Sequence, residues 1–166
     1  PGGTVICFGE PGQTVSSTES FAMSNKNATS ILIYDSQMPL IPPTIFTNYA
    51  IDFISIGRNN MTELKSESFA YANKLKNMLI REDLLTSLEN GTFKECINLQ
   101  SLQITDHKIS FIAANAFQGL KNLLNLYLTK NQLTSLNSEV FVPLVNLFML
   151  NVNENLLTSL PPKLIA

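Results

Sequence analysis

Histidine occurs once in this chain of 166 residues, cysteine only twice, and no glycine-rich phosphate loop is present. That inventory supplies neither a nucleophile–base pair nor a cluster of metal ligands, so no catalytic residue, metal site or cofactor is expected. Charge is scarce as well: 14% of the residues are charged, where roughly 25% is usual for a soluble domain. With a net charge of −2 there is no electrostatic case for binding nucleic acid. Long apolar runs are missing too. The best stretch, Val140 to Leu150, is interrupted by Pro143 and Asn146 and falls short of the roughly 18 residues of a membrane span. Neither an initiator methionine nor a secretory leader opens the chain, as expected of a processed or excised protein.

What the chain does have is a clock. Phenylalanine recurs at Phe46, Phe69, Phe93, Phe117 and Phe141, at intervals of 23, 24, 24 and 24 residues. A fixed period of this size marks a stack of like supersecondary units, not a closed globule around one centre. Between the phenylalanines the same apolar skeleton returns. It reads Leu123, Leu126, Leu128, Asn131, Leu133, Leu136 and Phe141 in the fifth unit, and Leu99, Leu102, Ile104, His107, Ile109, Ile112 and Phe117 in the fourth. The second and third units repeat it from Ile51 to Phe69 and from Leu75 to Phe93. A degenerate first unit keeps Ile31, Ile33, Ser36, Met38, Ile41 and Phe46. The sixth carries Leu147, Leu150, Val152, Asn155, Leu157 and Leu160, with Ile165 where the next phenylalanine is due.

The spacing has a physical meaning. Alternation such as Leu126 and Leu128 predicts a short strand with two side chains turned inward. The asparagine that follows bends the chain out of the strand, and its amide can bond main chain in its own and neighbouring turns. The phenylalanine lies on the returning, convex side and fills the interior from behind. Asn59, Asn131 and Asn155 keep the ladder position, whereas Ser36, Asp83 and His107 replace it. His107 therefore reads as a turn residue bonded to main chain, although Asp106 and Ser110 lie close to it in sequence. Cys96 stands three residues after Phe93, where other units place Tyr49, Ala72, Leu120 and Leu144. It is expected as a buried free thiol. Cys7, outside the repeat, is left open between a free thiol and an intermolecular disulfide.

Residues 1–27 do not fit the period. Thr4–Phe8 reads as a strand, Gly9–Gly12 as a turn and Phe21–Met23 as a returning strand, together an N-terminal cap of strand or hairpin form. Residues 28–166 divide into six units, about 28–50, 51–74, 75–98, 99–122, 123–146 and 147–166, with no C-terminal cap. A solenoid end without a polar cap exposes apolar edge, here the strand near Leu150 and Val152. An excised fragment, a second copy paired end to end, or another covering element each accounts for it. Asn27, Asn60 and Asn90 begin Asn-x-Thr sequons. Composition alone gives about three by chance, so their number is no argument for secretion, but the register turns Asn60 and Asn90 to solvent, where a glycan fits.

The strand residues between the inward ones line the concave face. There Leu32, Tyr34, Phe53, Leu79, Tyr127 and Met149 place apolar or aromatic groups where solvent favours polar ones. With Arg58, Arg81, Gln103 and Asn151 they form the expected partner-binding surface. Arg58 and Arg81 come from successive units and are expected to meet an acidic group of the partner or to pair with Glu82 and Asp106.

The pattern L-x-x-L-x-L-x-x-N-x-L resembles the leucine-rich-repeat family, and the 24-residue period with F-x-x-L in the return is similar to its typical extracellular subclass. The resemblance implies an α/β solenoid, a leucine-rich-repeat horseshoe with short parallel strands on the concave face and an irregular or helical-turn convex side. It also implies a non-enzymatic, extracellular glycoprotein of a subclass that recognises proteins, glycans or lipids. A narrower likeness is carried by Ser68-Phe69-Ala70-Tyr71-Ala72-Asn73-Lys74-Leu75 followed by Asn77-Met78-Leu79-Ile80. This stretch resembles the secreted mosquito leucine-rich-repeat immune proteins, which partner with complement-like thioester proteins in haemolymph. The capping-cysteine set and helical coiled-coil tail of that family have no counterpart in the sequence, so its mode of heterodimer formation does not carry over. The expectation is a secreted module of innate immunity whose concave face binds a protein, either complement-like or a second copy of the chain. The alternatives are an ectodomain fragment of a receptor or adhesion protein and a self-associating solenoid paired through its C-terminal edge.

Overall fold

The computed structural model describes residues 3–8 (main chain), 27–36, 38–47 and 49–161. Its strands, in chain order, are β1 (Gly3–Phe8), β2 (Ala28–Tyr34), β3 (Phe53–Gly57), β4 (Asn77–Arg81), β5 (Ser87–Leu88), β6 (Ser101–Thr105), β7 (Phe111–Ile112), β8 (Asn125–Tyr127) and β9 (Met149–Asn151). Seven of them form one parallel sheet in the order β1-β2-β3-β4-β6-β8-β9, while β5 and β7 pair separately on the return. Within the large sheet each strand lies beside the member that precedes and follows it along the chain. Parallel pairing requires a crossover connection between them.

The register is direct. Ile31, Ile54, Met78, Leu102, Leu126 and Leu150 align across the sheet, as do Ile33, Ile56, Ile80 and Ile104. Alternation sends both rows to one side, where they become two continuous apolar columns, all buried except the half-buried Leu150. The far wall is made by the returns: a helical turn α1 (Thr44–Thr47) and 3-10 turns at Ser66–Phe69, Ala72–Lys74 and Ser138–Phe141. Strands pack about 4.8 Å apart and helical turns need more room. The two walls therefore differ in width, and the stack curves with the sheet on its inner side. This is a leucine-rich-repeat solenoid of α/β class.

Phenylalanine fills the space between the walls. The rings of Phe46, Phe69, Phe93 and Phe117 follow one another at centroid distances of 6.4, 5.4 and 6.3 Å. Such neighbours add about 0.5–1.5 kcal/mol per pair to the burial of each ring. The column does not continue unchanged into the fifth unit. Phe141 is half-buried, and Val140 before it is fully buried. In the second to fourth units the residue before the ring is Ser68, Thr92 or Ala116, each small and buried beside it; in the first, Ile45 and Phe46 are buried together, and in the fifth Val140 is buried while Phe141 is not.

Cys96 is buried and free, and burial pushes its thiol up to about 12. The Cys7 side chain, the returning segment expected at Phe21–Met23 and Ile165 lie outside the described residues. β1 extends the sheet in parallel with β2, from Thr4 opposite Ser30 to Phe8 opposite Tyr34. Among the described residues no helix is long and apolar enough to cross a membrane. At the other edge of the sheet, Phe148, Met149, Leu156 and Leu160 are exposed and Leu150 and Val152 half-buried.

Candidate functional site on the concave face

β2, β3, β4, β6, β8 and β9 are each followed by one residue in the left-handed region. Asp35, Arg58, Glu82, Asp106, Lys130 and Glu154 have φ between 54 and 61°, a conformation that costs an L-residue roughly 1–2 kcal/mol. The side chain that follows holds the turn. Asn59 Oδ1 accepts from the Ser36 N–H at 2.9 Å, and Asn59 Nδ2 donates to the carbonyls of Ile33 and Gly57. Asn131 and Asn155 do the same, each reaching a carbonyl of the preceding unit at Ile104 and Leu128. The ladder thus satisfies main-chain groups that the turn would otherwise leave buried and unpaired.

His107 reproduces this with an imidazole. Its Nδ1 accepts from the Asp83 N–H at 3.2 Å, and its Nε2 lies 3.1 Å from the Ile80 carbonyl. The neutral Nε2–H tautomer fits both partners. Burial holds its pKa below the ordinary histidine value. The catalytic appearance of Asp106-His107 thus resolves into a main-chain rung. Asp83 is the imperfect rung. Its Oδ1 accepts from the N–H groups of Asn59 at 2.7 Å and Met61 at 3.0 Å, but Oδ2 is buried without a partner. Burial raises its pKa.

These turns set out the concave side chains in rows. Leu32, Ser55, Leu79, Gln103, Tyr127 and Asn151 lie opposite one another across six strands. A second row runs Ser30, Phe53, Asn77, Ser101, Asn125 and Met149. Seven of the ten expected contact residues therefore share two adjacent rows, all partly exposed except the open Met149. The Tyr127 hydroxyl bonds Met149 Sδ at 3.2 Å, joining the rows.

The third row places Tyr34, Gly57 and Arg81 in line. Tyr34 is not an open contact: it is only 7% exposed. Its ring lies flat over Gly57, where a Cβ would come within 2.8 Å of Tyr34 Cε1 and 2.9 Å of the Arg81 carbonyl. The missing side chain lets tyrosine span two strand positions and reach Arg81. Its hydroxyl meets the Ser55 hydroxyl and accepts from Arg81 Nη2 at 3.0 Å. Both guanidinium groups approach the ring, Arg58 at 5.4 Å and Arg81 at 5.5 Å from its centroid, within cation–π range. The arginine pairing matches expectation in part, since Arg58 does reach Glu82 but Asp106 takes no arginine. Arg58 forms a two-pronged bond to Asp35 at 2.8 and 2.9 Å and reaches Glu82 at 3.5 Å; the bonded guanidinium holds the Asp35 carboxyl below its ordinary pKa. Asp106 pairs with Lys130 instead. Arg81 has no carboxylate partner among the described residues.

A family model described as "Leucine rich repeat" matches residues 73–133 and 97–157, together more than half of the chain, and one described as "BspA type Leucine rich repeat region (6 copies)" matches residues 10–84. The chain belongs to the leucine-rich-repeat family. No curated protein matches its sequence. Among solved structures, this leucine-rich-repeat chain is similar to one in the Toll–Spatzle complex of Drosophila, with a TM-score of 0.68 and 23% identity over 86% of its length. It is also similar to a chain in the octameric complex of Latrophilin 3, Unc5D and FLRT2, with a TM-score of 0.67 and 22% identity over 80%. It spans 20% and 40% of those two chains, and at these identities the likeness concerns the fold.

The repeat carries a second ladder that the sequence reading missed. Asn98, Asn122 and Asn146 donate from Nδ2 to the carbonyls of Asn73, Ile97 and Lys121 at 2.7, 2.9 and 2.8 Å. They pin the entrances of β6, β8 and β9 as the first ladder pins the exits. The signal was present: asparagine precedes Leu99, Leu123 and Leu147 with the same period. Along this flank runs a cleft of about 530 Å³ that includes Lys74, Lys76, Gln100 and these three asparagines in its lining. The sequon residues Asn27, Asn60 and Asn90 are all exposed. Asn90 Oδ1 accepts from the Asn115 N–H at 3.0 Å, which leaves its Nδ2 with no described bond.

Proposed function

We propose that this chain is a non-enzymatic recognition module whose concave face binds a protein partner. The observation that carries the reading is the pair of aligned rows, in which Phe53, Leu79, Tyr127 and Met149 present apolar surface beside Gln103 and Asn151 on a rigid sheet. Aromatic and apolar side chains on a preorganised surface are the usual anchors of a protein interface. We read residues 28–166 as the six repeat units of this surface and residues 1–27 as its N-terminal flank. The two similar structures support the reading by what they contain, one a glycosylated complex of Toll with Spatzle from development and innate immunity, the other a complex of FLRT2 with Latrophilin 3 and Unc5D. We assign the protein to the extracellular side, as a secreted immune protein or a receptor ectodomain, with Asn27, Asn60 and Asn90 as glycan acceptor candidates; the sequence resemblance to secreted immune repeat proteins adds a complement-like protein as one partner class.

The test is capture from insect haemolymph by immobilised protein. Wild type and the convex variant Phe111→Ala should retain the same protein, and Phe53→Ala with Tyr127→Ala should lose it. Equal capture by all three would overturn the concave assignment. A second reading rests on the exposed end of the sheet, where Leu147, Phe148, Leu150, Val152 and Leu160 line an apolar cleft of about 290 Å³. It assigns self-association there. Light scattering across a dilution series, with Phe148→Asp as control, decides it: concentration-dependent mass lost in the variant supports pairing, and constant monomer mass excludes it.

A further inference from the structure

We infer that Arg81 is the charged anchor of the concave face and that the partner contributes a carboxylate to it, from an aspartate or glutamate flanked by apolar side chains. This inference rests on the concave-face reading and specifies its chemistry.

Four ionic groups gather around Tyr34, and they are not equivalent. Arg58 stands at the turn and is shared by Asp35 and Glu82. Its charge is answered within the fold. Arg81 sits further in, in the third row at the end of β4 beside the Leu79 row, with Thr105 opposite it on β6. Its neighbours supply one neutral acceptor, the Tyr34 hydroxyl, to Nη2. Its Nε is closed from solvent and has no acceptor. A guanidinium carries five N–H donors in a fixed fork, so the fold leaves this one under-satisfied.

The group is also held in place. Gly57 allows the Tyr34 ring to lie beneath both guanidinium groups, and Ser55 fixes the ring through its hydroxyl. Arg81 consequently does not have to be ordered when a ligand arrives, which lowers the cost of binding. Apolar Leu79 precedes it by two residues on the same face of β4, with Phe53 one strand away. A carboxylate entering there is partly desolvated, and charge-assisted bonds to arginine are the strong kind. A lysine-bearing segment has no such place, because the two carboxylates of the cluster already hold Arg58.

A display library of random nine-residue peptides, panned against the full chain, supplies the probe. Peptides released by Phe53→Ala with Tyr127→Ala occupy the concave face, and among these we expect an enriched Asp or Glu next to apolar residues. For the tightest such peptide, Arg81→Gln should weaken binding about tenfold to a hundredfold, as should the matching acid-to-amide change in the peptide. The two changes together should cost no more than either alone, because they remove one interaction. Thermal melts of the Arg81→Gln variant establish that it is folded, and Arg81→Lys, which keeps the charge without the fork, should recover part of the loss. Concave-face peptides without acidic residues, additive losses in the cycle, or no peptide retained at all would overturn the anchor. Peptides indifferent to Phe53 and Tyr127 would overturn the concave reading itself.

Discussion

Replacing Asp83 by asparagine should stabilise this protein at neutral pH, an unusual direction for a change at a buried position. Asparagine keeps the oxygen that accepts from Asn59 and Met61. It replaces a buried, unpartnered carboxylate oxygen with an N–H donor. The donor's place is known from the other rungs, since Asn59, His107, Asn131 and Asn155 each reach a carbonyl of the preceding unit, and the corresponding group here is the Ile56 carbonyl. Removing the unsatisfied oxygen recovers about 1–3 kcal/mol and the new bond adds about 1 kcal/mol. Loss of charge assistance in the two retained bonds returns roughly 1–2 kcal/mol. The net gain is about 1–2 kcal/mol, or a rise of roughly 2–8 °C in Tm for a chain of this size. The pH dependence has a definite sign. The folded pKa of Asp83 is raised above its ordinary 3.8, so the cost of ionisation is fully present at neutral pH. It fades as pH falls through the folded pKa. The advantage of Asp83→Asn should therefore be largest at pH 7 and smaller at pH 4, measured by calorimetry on both proteins. No gain at pH 7, or an equal gain at both, would refute the reasoning.

His107→Asn, made in the Asp83→Asn background to remove the opposing titration, should flatten the acid side of the stability curve. The folded pKa of His107 lies below its ordinary 6.5, so its contribution is complete above that value and lost as pH falls through the folded pKa; urea midpoints at pH 7 and pH 5 that drop equally with and without the histidine would exclude this. Phe117→Ala should cost about 3–5 kcal/mol in urea unfolding, because a fully buried ring stacked on Phe93 leaves a cavity; a loss below 1 kcal/mol would mean the column is not a core. Gly57→Ala should cost about 1–3 kcal/mol in a thermal melt, since the added methyl meets the Arg81 carbonyl as well as the Tyr34 ring; an unchanged Tm would show that Tyr34 does not depend on the glycine.

The fold was legible because its information is periodic. Inward pairs such as Ile54 with Ile56 and Leu102 with Ile104, the ladder rungs and the phenylalanine column all follow from spacing alone. What the period does not encode is how a unit departs from its neighbours. Val140 takes interior space in the fifth unit although the sequence offered Phe141 for it; the period is the same there, and only the packing of that return differs. The second asparagine ladder kept strict time but was invisible to a search for apolar positions. Tyr34 was read as open surface because the register correctly put it on the concave face; that it folds down depends on a glycine 23 residues later, on another strand. The pairing of Arg58 with Asp35 has the same origin. Adjacent units bring these turn residues together on both sides of Arg58, and sequence order suggested only the one further along the stack, Glu82.

The departures from the repeat are not scattered. Ser36, Asp83 and His107, the three ladder positions without asparagine, stand immediately after Asp35, Glu82 and Asp106, the acidic turn residues that pair with Arg58 and Lys130. In a solenoid each unit packs only on its neighbours, so an imperfect rung weakens one seam without unfolding the stack. Local rules tend to be broken where a protein has another use for the position. Here the imperfect Asp83 rung holds the β4 turn that carries Glu82, and Glu82 helps occupy Arg58. That occupation leaves Arg81 as the cation of the cluster without a carboxylate among the described residues. The energetic weakness of the ladder and the chemical opening of the concave face thus belong to the same turn, separated by two residues along β4 and its exit.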